Sequence, residues 1–339
     1  MTPAAPHRKI PWQSVALAAL SLLLVVWFLR GIDRHQLGQA LANAHPDCVA
    51  MSVAVTLMTY TFRAWRWQAL LAPIGGVSFR HAFRITVMGF TATNLLPGRL
   101  GEFLRPYLVS RVEPVAAPAA FATILIERLL DLCCVLMLFG VFLLASTIDV
   151  GPELKAVGAA AAAGSVAALI ALAIGAGRPD VLRRWTDAGA NWLPGRTSHV
   201  ARRFVHTLID GLAVLRQPGP FVLAALMSLG LWLSIALGVW YASRALDLTM
   251  AFSSSFLVIL YLVVGVAVPV PAGVGSFHFM YQLVATSFLG ASRPQAAAAA
   301  IVLHAVSIVP ISLLGLVFLA QDGWTLARLR GVKSDGGLK

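Results

Sequence analysis

Apolar residues run through this chain in blocks of about twenty, the length needed for a helix to cross a bilayer. Six blocks read as full spans, roughly 12–29, 47–65, 117–145, 155–176, 219–243 and 294–320. Two more, about 79–112 and 251–290, are long enough to cross but are interrupted midway by proline and glycine. The first interruption reads Pro97-Gly98-Arg99-Leu100-Gly101-Glu102-Phe103. The second follows Pro269 and reads Pro271-Ala272-Gly273-Val274-Gly275-Ser276-Phe277. Pro, Gly and Phe align between them. The pattern predicts an all-α integral membrane fold, with about six full transmembrane helices and two re-entrant or broken helical hairpins. It predicts one polytopic domain over 1–330, with halves of about 1–150 and 151–330 and a short tail at 331–339. The linker 177–218 alternates arginines with Trp, Leu, Val and Phe at helical spacing. It reads as amphipathic helices on the inner leaflet, or as a solvated loop holding a short helix.

Charge assigns the sides. If both interrupted segments return to the side they came from, 17 of the 26 Lys and Arg fall in the N-terminus, two cytoplasmic loops and the C-terminal tail. Five fall outside: Arg30, Arg34, Lys155, Arg244 and Arg293. Arg63, Arg66, Arg80 and Arg84 count here as one cytoplasmic loop. Cytoplasmic loops collect basic residues, so both termini are expected inside. The two hairpins then enter from opposite faces as an inverted pseudo-repeat. In transporters, such paired interruptions flank the substrate site.

Composition agrees. The chain is 59% hydrophobic and 12% charged, with mean hydropathy +0.81, whereas a soluble domain is about 25% charged. The net charge of +12 would suggest nucleic acid in a soluble protein, but the loop bias accounts for it and none is expected. Cys48, Cys133 and Cys134 have no metal or disulfide spacing. The basic start and apolar run resemble a signal peptide, but the small-residue site Ala42–Ala44 lies far beyond the run, so a retained first span is expected. Arginine far exceeds lysine and alanine is abundant, which points to a GC-rich bacterial genome and its cytoplasmic membrane.

The candidate chemistry lies in charges within apolar stretches. Glu127, Arg128 and Asp131 sit inside the span 117–145, where each charge costs about 2.5–3.5 kcal/mol on insertion scales. Glu127 and Asp131 share a helix face. Arg99, Glu102 and Arg105 form a stripe if the chain after the first break is helical, and pairing that stripe with Glu127 and Asp131 satisfies both. Two readings stay open: a buried ion network that locks the hairpin, or an anion site in which surplus arginines bind phosphate. Half-helices beginning near Leu100 and Val274 would add helix N-termini, which favour anions. His278, Tyr281 and Gln282 follow the second break and His304 lies in the last span. Either histidine is a candidate proton carrier.

The motifs "LLPGRLGEFLRPYLV", "IERLLDL" and "PVPAGVGSF", in that order, resemble the transmembrane region of lysylphosphatidylglycerol synthase, the flippase-like integral membrane family. The resemblance covers about residues 10–325. It implies an all-helical membrane domain with re-entrant hairpins, associated with moving lipids between leaflets. Arg99, Glu102 and Arg105 match the first motif, Glu127, Arg128 and Asp131 the second, and Pro271, Gly273 and Gly275 the third. The third motif commonly ends in Glu, where this chain has His278. About 19 residues follow the last span, so the aminoacyl-transfer domain of the full synthases is not expected. The expected function is translocation of an anionic or polyprenyl-phosphate-type lipid, with no cofactor and with lipid-synthesis proteins as possible partners. The site would comprise Arg99, Glu102, Arg105, Glu127, Arg128, Asp131, Gly273, Gly275 and His278, with breaks at Pro97, Gly98, Gly101, Pro269 and Pro271. No P-loop occurs. The rivals are a membrane glycosyl- or lipid-transferase, against which no DxD or ExD stands on the outer loops, and a non-transporting partner of a lipid-synthesis complex.

Overall fold

The computed structural model describes residues 12–96, 101–190, 192, 194–268 and 270–322. Arg99, Pro97, Gly98 and Pro269 lie outside them. Helix α1 (Trp12–Leu29) is followed by the short α2 (Arg34–Ala42), whose N-cap Asp33 accepts from the His35 amide at 2.8 Å. Then come α3 (Pro46–Leu71), α4 (Phe79–Leu95), α5 (Gly101–Val112) and α6 (Ala117–Ala145). The second half has α7 (Gly151–Gly177), α8 (Pro179–Ala190), α9 (Gly195–Gly211) and α10 (Pro218–Arg244). It closes with α11 (Ser254–Ala267), α12 (Ser276–Phe288) and α13 (Arg293–Gln321).

Four helices, α6, α7, α10 and α13, are long and apolar enough to cross a membrane. Helix α3 is also long, at 26 residues, but carries Asp47, Arg63 and Arg66. The order of a long helix, a broken pair and a long helix occurs twice: α3, α4–α5, α6, and α10, α11–α12, α13. Helices α3 and α10 pack along their length and run antiparallel. Ser52 donates to the Gly238 carbonyl at 3.0 Å, while further along α3 Arg66 reaches Ser228 at 3.3 Å. Helix α4 leans on α13, where Thr91 donates to the Ile311 carbonyl at 3.1 Å, and α11 leans on α6. Each broken pair therefore rests on the closing helix of the other half.

Both breaks are local and chemically explicable. The α4–α5 turn brings Gly89 and Gly101 together so closely that a Cβ on Gly101 would collide with the Gly89 carbonyl. The open end of this pair is tied by Glu113, which accepts from the Ser78 amide and pairs with His81 at 2.7 Å. The His81 hydrogen bond holds the Glu113 carboxyl below its ordinary range. At the second break Pro271–Gly273 forms a single 3₁₀ turn, with Ala272 and Gly273 both left-handed at φ 53° and 68°. The second helix resumes at Ser276, two residues beyond Val274; Leu100 lies outside the described residues, which begin again inside α5 at Gly101.

The linker folds as two helices, α8 and α9, clipped together by Arg183–Asp210 at 2.6 Å. Helix α9 packs on α6, where Gly211 lies against Ala119 and Ala122. Trp185 and Trp192 remain 74% and 90% exposed. Helix α7 is rich in Gly and Ala, yet only 11% of its most apolar stretch is buried. Its close approach is at Gly158, against Phe139. The run Ala296–Ala300 of α13 is fully buried instead, as expected where small side chains let membrane helices approach.

Candidate functional site

The site is built where charged residues of the long helices α3 and α6 meet the short α5, with α10 alongside. Glu127 on α6 is completely buried. Arg105 on α5 grips it with two bonds, Nη1 to Oε2 at 2.8 Å and Nη2 to Oε1 at 3.3 Å. The same guanidinium lies 4.2 Å over the Trp67 ring. The expected pairing of the first-hairpin stripe with α6 is thus present at Arg105, and it occupies both Nη groups, while Nε is buried without an acceptor. Asp131, one turn on, accepts from Arg66 Nη1 and from the Trp232 indole at 2.9 Å, and Arg128 lies 3.4 Å from its second oxygen. Arg66 Nε also stands 3.5 Å from Glu127. Arg128 reaches Glu102 at 3.9 Å.

Arg66 was counted above with a cytoplasmic loop. It is 1% exposed inside α3 and is the hub of the network. Arg63 was placed in the same loop and is one turn earlier on the same helix. Its guanidinium lies 4.5 Å over the Phe90 ring and 5.7 Å from Tyr60. Among the described residues it meets no carboxylate within ion-pair distance, and its Nε is buried with no acceptor. With both arginines moved into the helix, fifteen basic residues still stand on the cytoplasmic side of the charge scheme. Both are legible as charges within one continuous helix once α3 runs to Leu71, because "TYTFRAWRWQALL" never loses its apolar character.

Arg63, Arg128 and Asp131 line one end of a cavity of about 460 Å³ between α3, α4, α6, α10, α11, α12 and α13. The rest of the wall is apolar, including Leu132, Val135, Ile259, Leu262 and Leu303. A smaller cavity of about 180 Å³ lies where the two breaks approach each other, bordered by Thr93, Asn94, Ala272, Gly273, His304 and Ser307. Val266, Phe277 and Ser307 border both cavities. A larger hollow of about 630 Å³ lies at the far end of α3 and α10. Its His45 and Asp247 pair with each other at 2.9 Å and are 53% and 73% exposed, so solvent already satisfies them.

Of the other expected site residues, Gly273 borders the small cavity. Gly275 (φ 92°) and His278 turn away from it. A Cβ on Gly275 would strike Leu24 of α1, and the His278 ring sits 5.2 Å from Phe28. His278 Nδ1 accepts from the Gly275 amide at 3.4 Å, so it caps its own helix. The start of α12 is thereby filled by protein. His304 donates to the Ala272 carbonyl at 2.9 Å, and its ring lies 4.4 Å from that of His278 at a tilt of 47°, stapling the 3₁₀ turn. Pro271 opens that turn and Gly101 opens α5. Among the described residues, no three His, Cys, Asp or Glu side chains are placed to hold a metal ion.

The family model described as "Lysylphosphatidylglycerol synthase TM region" matches residues 14–315. A UPF0104 membrane protein of Methanocaldococcus jannaschii is 24% identical over 135 residues, 39% of this chain and 40% of its own length. A UPF0104 membrane protein of Methanothermobacter thermautotrophicus is 29% identical over 120 residues, 34% and 33% of the two chains. The glycosyltransferase AglD of Haloferax volcanii is 27% identical over 169 residues, 49% of this chain and 24% of AglD. The chain thus covers less than half of each of these curated relatives. All three are archaeal proteins, whereas residue usage points to a bacterial genome. The charged motifs on α5 and α6 and the second break fall inside the matched region, and the chain is an integral multi-pass membrane protein of the lysylphosphatidylglycerol synthase TM region family.

Proposed function

We propose that this protein moves an anionic or polyprenyl-phosphate-type lipid headgroup between leaflets of the membrane, through the cavity bounded by its two broken helix pairs. The observation that carries this reading is a cavity apolar along most of its wall and cationic at one end. Apolar walls accept hydrocarbon, and guanidinium groups accept phosphate. In this reading the two broken pairs are re-entrant hairpins of opposite orientation, with both chain termini cytoplasmic. The twofold element order, the antiparallel packing of α3 on α10 and the exchange of supports between halves favour it. Irregular backbone at membrane depth is tolerated where it is buried in protein or borders a cavity, as the 3₁₀ turn does.

The name of the AglD relative favours a second reading, a membrane transferase. Reconstitution separates the two. Liposomes containing the purified protein and a tail-labelled anionic phospholipid are treated with a membrane-impermeant quencher. Translocation predicts that the inner-leaflet half of the label becomes accessible, and that it stays protected in protein-free vesicles. If the label stays protected while sugar passes from a polyprenyl-phosphosugar donor to an acceptor, the transferase reading replaces it. If neither occurs, the protein is a non-transporting partner of lipid synthesis.

A further inference from the structure

Resting on the translocation reading, we infer that Arg63 is the lipid-binding cation of the cavity, and that the lipid is a monoanionic phosphodiester with an uncharged, hydroxyl-bearing head. The charge balance comes first. Among the described residues the cluster holds four cations, Arg63, Arg66, Arg105 and Arg128, and three anions, Glu102, Glu127 and Asp131. Arg105 is committed to Glu127, Arg66 to Asp131 and Glu127, and Arg128 bridges Asp131 and Glu102. One positive charge is left over, and by geometry it is Arg63.

Arg63 is half-buried and its Nε is buried without an acceptor, which is unfavourable because that N–H has given up water and gained no partner. The Phe90 ring compensates only through its face. A guanidinium lying over a ring still carries its N–H donors in its own plane, free to meet a two-oxygen acceptor. Arg63 borders the cavity, so that acceptor is reached from within it. A phosphodiester brings one negative charge and two non-bridging oxygens, which matches one guanidinium. A phosphomonoester or a diphosphate brings more charge than the described residues of the cluster leave uncompensated.

The small cavity sets the rest of the head. Among the described residues its polar border is Thr93, Asn94, His304 and Ser307, none of them acidic. An ammonium head would find no counter-ion there. Asp131, the nearest carboxylate on the large cavity, already accepts from Arg66 and Trp232 and lies beside Arg128. Hydroxyl groups, in contrast, suit an amide and two hydroxyls. Glycerol-headed phospholipids and polyprenyl phosphosugars share this chemistry.

Native mass spectrometry of the purified full chain from detergent micelles tests the assignment. The probes are phosphatidylglycerol, a short-chain polyprenyl phosphosugar, phosphatidylcholine, phosphatidate at about pH 8, where its monoester is doubly charged, and inorganic phosphate. The wild type should hold one or both of the first two at least about tenfold more than phosphatidylcholine or phosphatidate, the scale of one charge-assisted hydrogen-bonded contact. Which of the two is held names the source. Arg63→Gln should abolish the preference and Arg63→Lys should keep much of it. Equal occupancy of all the lipids by the wild type overturns the inference, whatever the variants do. So does a preference for phosphatidate or inorganic phosphate, or a selective Arg63→Gln variant. Leaflet movement without headgroup selectivity leaves translocation standing and removes this inference. Selective, Arg63-dependent binding without leaflet movement does the reverse.

Discussion

Arg105 and Glu127 show what a buried charge pair does in this protein. Their side chains are 4% and 1% exposed, joined by two hydrogen bonds, and backed by Trp67. Deleting the arginine leaves Glu127 with Arg66 alone at 3.5 Å. Breaking such a pair costs about 3–5 kcal/mol, because a buried carboxylate is left under-compensated. Arg105→Ala should therefore lower the thermal melting point in detergent sharply, while Arg105→Lys should recover part of the loss. A melting point unchanged in Arg105→Ala would show that the pair does not hold α5 to α6. The sequence made Glu127, Arg128 and Asp131 visible because charges at i, i+1 and i+4 stand out in an apolar span. It left Arg63 and Arg66 hidden, because they fall near the end of an apolar block, where basic residues ordinarily mark a loop. Their place inside a helix, with Arg66 buried and Arg63 half-buried, follows from α3 continuing to Leu71 and packing against α10, a tertiary fact.

At the scale of elements, the two interruptions were readable from proline and glycine alone, since both residues end helices for reasons local to the backbone. What each break packs against was not readable. Helix α12 begins against α1, where Gly275 combines a left-handed φ of 92° with a backbone touching Leu24. Its N-terminus is consequently filled by His278 and α1, and the helix-end anion site read from the sequence does not open there. Gly275→Ala should destabilise the protein by about 1–3 kcal/mol, the range for a residue forced into such a conformation, with the α1 collision added. Gly38→Ala, inside α2 with nothing within 4 Å of a new Cβ, is the control and should melt like the wild type. Equal melting of the two variants would remove the claim that the second break is fixed by its contact with α1.

For the whole molecule, the repeated order and the crossed supports make the two halves interdependent. Each broken pair rests on the other half, and the two cavities meet at Val266, Phe277 and Ser307. A headgroup passing from the arginine end to the breaks crosses that junction. The most direct test is leaflet translocation of a tail-labelled anionic phospholipid by proteoliposomes bearing Ser307→Trp. This change fills the junction without touching the ion network. Translocation should fall to the protein-free background while the melting point in detergent stays close to wild type. A correctly folded Ser307→Trp protein that moves lipid at the wild-type rate would contradict the path.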